Sequence, residues 1–113
     1  MNYISTRNNN IKVSSAYAIA HGISTEGGLY VPESIPQLDE NDISNLIELD
    51  YIGKAEYILK KYLTDFTDEE IGACVRGAYT GSFDDEKPAA IAQLGDSINI
   101  LELWHGPTCA FKD

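Results

Sequence analysis

Asn99-Ile100-Leu101-Glu102-Leu103-Trp104, running on into His105-Gly106-Pro107-Thr108-Cys109-Ala110-Phe111-Lys112-Asp113, is the stretch on which the reading of this chain turns. Its apolar opening reads as a buried strand, and Gly106-Pro107 bends the chain sharply at that strand's C-terminal end. Strand ends of this kind are where α/β proteins gather reactive groups, and here a lysine follows the bend. Immediately upstream, Ala89 to Leu94 reads as another strand. Gly95-Asp96 supplies the turn between it and Ile98–Leu103, so the two are expected to pair as a hairpin.

The remainder is predominantly helical. Ser14 or Ser15 caps a helix through Ala20 with Tyr17, Ala18 and Ile19 partly inward, and Gly22 provides a left-handed stop. Asp39 caps Glu40 to Leu49, whose acidic first turn suits the positive helix end and whose apolar face is Ile43, Leu46 and Ile47. From Tyr51 to Phe66 the apolar residues follow helical spacing, with Lys54, Glu56, Lys60 and Lys61 on the wet side. Thr67-Asp68-Glu69-Glu70 is a capping box that opens a helix through Tyr79, with Ile71, Cys74, Val75, Ala78 and Tyr79 as its stripe. Tyr3 to Thr6 reads as a short strand, and Gly27-Gly28 before Leu29-Tyr30-Val31 as a tight turn into another, broken by Pro32 and Pro36. The expected fold is α+β: a small, helix-rich domain with a few short strands.

At 113 residues and 43% apolar composition the chain is expected to be one globular domain with a modest core. Its net charge of −10 creates a field that repels phosphate backbones and anionic leaflets, so nucleic acid and membrane are not expected partners. Cys74 and Cys109 are too few and too far apart for a zinc framework, no metal site is expected, and both are read as reduced. No segment has the pattern of a leader or a bilayer span, and the expected location is cytoplasmic.

Lys112 is the candidate for chemistry. A lysine amine attacks an aldehyde only when neutral, and its reference pKa near 10.4 makes that form rare at pH 7. Desolvation at an apolar strand end, with Phe111 and Trp104 nearby in sequence, would favour it. Pyridoxal phosphate is the usual aldehyde partner. The other polar residues read as structural. His105 beside a Gly-Pro turn orients the loop by hydrogen bonding, and His21 complements a helix C-terminus. Gly27-Gly28 lacks the Gly-Lys-Ser/Thr of a phosphate loop. Asp84-Asp85-Glu86 and Asp39 to Asp42 lack the alternation of a calcium loop.

His105-Gly106-Pro107-Thr108-x-Ala110-Phe111-Lys112-Asp113 resembles the pyridoxal-lysine segment of the threonine synthase family. Asn2-Tyr3-Ile4-Ser5-Thr6-Arg7 is similar to that family's opening, and Gly27-Gly28-Leu29-Tyr30-Val31-Pro32-Glu33-Ser34-Ile35-Pro36 to its early loop. The resemblance implies the front part of a fold type II, tryptophan synthase beta-like enzyme dependent on pyridoxal 5'-phosphate. Such an enzyme is a lyase converting O-phospho-L-homoserine and water to L-threonine and phosphate. It implies Lys112 as the catalytic, cofactor-bearing residue and Phe111 as part of the cofactor pocket. Cys109 departs from the pattern, where an apolar residue, often leucine, is usual; a small buried hydrophobe can take that place.

The resemblance also divides the chain into residues 1–103, the family's N-terminal domain, and residues 104–113, the start of its cofactor-binding domain. The phosphate loop, pyridine-nitrogen partner and substrate-phosphate site are then expected outside these 113 residues, which alone are expected to be inactive and not to hold the cofactor stably. Segments left without neighbours would fray or self-associate. The competing expectation is a non-catalytic acidic interaction module with an exposed apolar face.

Overall fold

A computed structural model describes residues 1–85 and 87–113, so Glu86 of the acidic loop lies outside the described residues. The order is β1 (Tyr3–Ser5), β2 (Lys12–Val13), α1 (Ser15–His21), β3 (Tyr30–Pro32), α2 (Glu40–Glu48), α3 (Tyr51–Tyr62), α4 (Asp68–Tyr79), β4 (Ala90–Leu94) and β5 (Ile98–Glu102). This is the expected mixture of helices and short strands. The residues cluster into two compact units, Met1–Gly72 and Ala73–Asp113, where composition implied one domain. The division falls within α4 rather than in a linker.

In the first unit, β1 lies between β2 and β3 and pairs antiparallel with both, Tyr3 opposite Val13 and Pro32. Pro32 is tolerated because β3 is an edge strand. Helix α1 begins where the Ser14 side chain accepts from the Tyr17 amide and ends at Gly22, whose φ of +66° is the left-handed stop read in the sequence. Only Ala18 of the three residues expected partly inward is buried; Ile19 is 63% exposed. At α2 the Asp39 cap closes reciprocally with Asp42. Ile43 and Ile47, expected to face inward, are exposed. Helix α3 stops at Tyr62, short of Phe66, as Leu63 leaves helical geometry. Asp65 is then free to accept from the Ser15 amide (3.2 Å), the Ser15 hydroxyl and the Ala16 amide (3.0 Å). One carboxylate thus ties the exit of α3 to the entry of α1.

Two aspartates of this unit carry an acid-stability prediction. The Tyr57 hydroxyl, the Asp39 amide and Lys61 together hold Asp42 at about 2. Desolvation opposes ionisation of Asp65, but the Ser15 hydroxyl and the Ala16 and Ser15 amides outweigh it and bring that group to about 2 as well. A carboxyl with a depressed folded pKa contributes stability above its unfolded value of about 3.9, and that stability is lost as pH falls toward the folded value. Denaturant titrations are therefore expected to show stability falling between pH 4 and pH 2, with D42N and D65N each flattening the loss. An unchanged slope in both variants would contradict these contacts.

The Thr67–Glu70 box forms as read: the Thr67 amide donates to Glu70 (2.8 Å) and the Glu70 amide to Thr67 Oγ1 (3.2 Å). Along α4, Ile71 and Val75 are buried, whereas Cys74 and Ala78 of the expected stripe are exposed. In the second unit β4 and β5 form a regular antiparallel hairpin, Ala90 opposite Glu102 and Leu94 opposite Ile98, turned at Gly95. The buried strand expected at Asn99–Trp104 is instead largely exposed, with Leu101 at 54% and Trp104 at 49%. The hairpin is a sheet of its own, and neither strand has a further strand partner among the described residues. No described helix is long and apolar enough to cross a membrane.

Candidate functional site

The site is the loop that leaves β5. Its entrance is anchored twice. His105 Nε2 donates to Glu102 Oε2 at 2.7 Å, one helical-turn spacing back along the chain, and the Asp84 amide donates to the His105 carbonyl at 2.9 Å. His105 therefore orients the loop, as its place beside a Gly-Pro turn indicated. The Trp104 indole lies against the His105 ring, 5.7 Å between centroids.

Beyond this anchor the chain makes successive tight turns, the Cys109 amide donating to the Gly106 carbonyl (3.0 Å) and the Asp113 amide to the Ala110 carbonyl (3.1 Å). Cys109 has φ +55°, a left-handed conformation that a non-glycine residue adopts only when its surroundings hold it there. The buried hydrophobe expected at this position is an exposed, free thiol. Gly106 is buried, and a β-carbon there would lie 2.4 Å from Asp113 Cβ. Asp113 closes the loop: the Thr108 amide donates to its Oδ2 at 2.8 Å and the Thr108 hydroxyl to its Oδ1 at 2.5 Å. Those hydrogen bonds hold the Asp113 carboxyl below its ordinary range.

Lys112 and Phe111 are brought together, with Lys112 Nζ 5.8 Å from the centroid of the Phe111 ring. Both are exposed, Phe111 at 75%, so the desolvation expected from Phe111 and Trp104 is not supplied by these residues. An accessible primary amine, unpaired with any carboxylate among the described residues, fits a group that bonds covalently to it. Among the described residues no cluster of three or more His, Cys, Asp or Glu could hold a metal ion. The sequence puts Gly106 in the turn and Thr108 and Asp113 in the motif, but does not announce the contact that joins them. A carboxylate closing on a residue five positions back in irregular backbone has no periodic signature.

Known proteins share the sequence and fold of this chain. The model of the threonine synthase N terminus matches residues 2–79. Threonine synthase of Serratia marcescens is 32% identical over 113 residues, covering 100% of this chain and 25% of that protein. The PLP-bound threonine synthase of Brucella melitensis superposes with a TM-score of 0.87 at 32% identity, over 99% of this chain and 24% of that one. The Escherichia coli enzyme superposes with a TM-score of 0.85 at 29% identity. This chain spans about a quarter of the length of these relatives. With a family match across β1 to α4 and superposition across nearly all of its length, the chain belongs to the threonine synthase family, whose N-terminal part it matches.

Proposed function

We propose that this chain supplies the N-terminal part and the cofactor-bearing lysine of a pyridoxal-phosphate-dependent lyase that converts O-phospho-L-homoserine and water to L-threonine and phosphate. Residues 1–103 form its N-terminal domain, and residues 104–113 open its cofactor-binding domain. The same reading places the protein in the cytoplasm. The observation that carries it is the loop at Gly106–Asp113, which presents the Lys112 amine beside Phe111, with no carboxylate partner among the described residues, in a chain similar throughout to threonine synthases.

Bound there, the pyridoxal ring would supply an electron sink for bond breaking at the substrate carbon skeleton. Lys112 would hold the cofactor through Nζ, and the same amine would carry protons to and from the substrate carbons. The Phe111 ring, its centroid 5.8 Å from Nζ, would form one wall beside the cofactor. His105, with its imidazole tied to Glu102 and its carbonyl to Asp84, positions the loop and is given no proton-transfer step.

Borohydride reduction of the protein carrying this chain, followed by peptide mapping, tests the assignment. The pyridoxyl label is expected on Lys112, and its recovery on another lysine rejects the reading.

A further inference from the structure

We propose that Asp113 is a positioning residue for Lys112: its carboxylate clasps the amide and hydroxyl of Thr108, and this clasp sets the direction from which the neighbouring lysine presents its amine. The inference deepens the reading of Lys112 as the cofactor lysine and rests on it.

Three observations converge. The clasp uses both carboxylate oxygens on one residue, Oδ2 for the Thr108 amide at 2.8 Å and Oδ1 for the Thr108 hydroxyl at 2.5 Å. It spans the left-handed Cys109, so the strain at φ +55° lies inside the closed loop. Finally, Gly106 leaves room for it, since a β-carbon there would lie 2.4 Å from Asp113 Cβ and 2.6 Å from Asp113 Oδ2. Lys112 itself is exposed and has no carboxylate partner among the described residues, so its own side-chain contacts do little to orient it. Its direction is set through the backbone on either side, by the Asp113 amide to the Ala110 carbonyl at 3.1 Å and by the clasp.

Geometry and charge make different demands here. If the clasp works by geometry, asparagine serves nearly as well as aspartate: its carbonyl accepts from the Thr108 amide while its NH₂ donates to the Thr108 hydroxyl, which rotates to accept. If the carboxylate acts instead as a charge beside the lysine amine, asparagine is as defective as alanine.

The test measures two quantities in the protein carrying this chain, stripped of cofactor: exchange of the Thr108 amide, and the rate at which added pyridoxal phosphate becomes covalently attached. D113A is expected to speed Thr108 exchange and slow attachment, each by roughly tenfold to a hundredfold, the range for losing charge-assisted hydrogen bonds that hold a reacting group in place. D113N is expected to stay within about threefold of wild type in both. G106A, which expels the carboxylate sterically, is expected to reproduce D113A, and its combination with D113A to add little. Unchanged exchange in the β5 amides shows that the variants remain folded. Wild-type exchange and attachment in D113A, or a D113N as defective as D113A, overturns the proposal. Borohydride labelling separates the two levels: label on Lys112 with an inert D113A removes only the clasp, whereas label on another lysine removes the site reading itself.

Discussion

Replacing Lys112 by alanine in the protein carrying this chain is expected to lower threonine formation by at least about a thousandfold, because the proposed function asks one side chain both to hold the cofactor and to move protons. The two demands explain why no neighbour can substitute. The titratable side chains His105 and Asp113 of the same loop are already committed, His105 to Glu102 and Asp113 to Thr108, and neither offers an amine. Arginine is expected to fail almost as badly as alanine, since its guanidinium stays protonated and does not add to an aldehyde. Both variants are expected to fold, because Lys112 is exposed and makes no ion pair among the described residues. Steady-state phosphate release from O-phospho-L-homoserine provides the measurement. Turnover by K112A at the wild-type rate would remove the central role assigned to this amine.

What the sequence made legible was whatever is decided within a few residues. The α1 stop at Gly22, the Asp39 cap of α2, the Thr67–Glu70 box and the Gly95 turn all follow from short-range chemistry, and all form. The candidate site stands out for the same reason, as a contiguous segment ending in Phe111-Lys112-Asp113. Contacts between distant residues were not. Nothing in Ser15 announces that Asp65, fifty positions away, will accept from it, and nothing in Asp42 announces Tyr57 and Lys61.

Exposure was the least legible property, for a physical reason. The pattern of Ile98–Leu103 matches a buried strand, but burial requires a covering layer, and among the described residues this hairpin pairs only with itself and its apolar residues stay largely exposed. The same holds for Ile43 and Ile47 on α2 and for Cys74 on α4. Apolar periodicity states which face a residue shares with its neighbours, not what lies opposite that face. Phe111 and Trp104 fail to shield Lys112 on the same grounds: they are close in sequence, but both are exposed, and desolvation needs atoms on every side.

The Gly27-Gly28 pair, part of the family-like early loop, carries the other large effect, and the two glycines are needed for different reasons. Gly27 has φ +84°, and the atom a β-carbon there would meet is Arg7 Nη1 at 2.8 Å, the far end of a flexible side chain. Gly28 has no such conformational demand, yet a β-carbon there would lie 2.1 Å from Ser5 Oγ and 3.1 Å from the Arg7 backbone nitrogen. Ser5 cannot yield easily. It is fully buried, its hydroxyl oxygen accepts from the Arg7 amide at 3.2 Å, and it sits in β1 opposite Tyr30 of β3. A methyl group at position 28 therefore wedges β1 from the loop that feeds β3, where the Ser24 amide donates to the Gly28 carbonyl at 2.8 Å and the Thr6 amide to the Leu29 carbonyl at 2.9 Å. G28A is expected to destabilise the fold by about 2–3 kcal/mol, combining overpacking with strained hydrogen bonds. G27A is expected to lose only about 1 kcal/mol, the usual penalty for alanine at a left-handed position. G77A, in helix α4 with nothing within 4 Å of the added carbon, is expected to gain about 0.5–1 kcal/mol and serves as the control. Denaturant midpoints order the three variants. If the clash with Ser5 is the cause, S5A and G28A together lose less than the sum of their separate effects, because the double variant removes the atom that the new methyl group strikes. Strict additivity, or a G28A midpoint equal to that of G27A, assigns the role of Gly28 to something other than the close approach of β1.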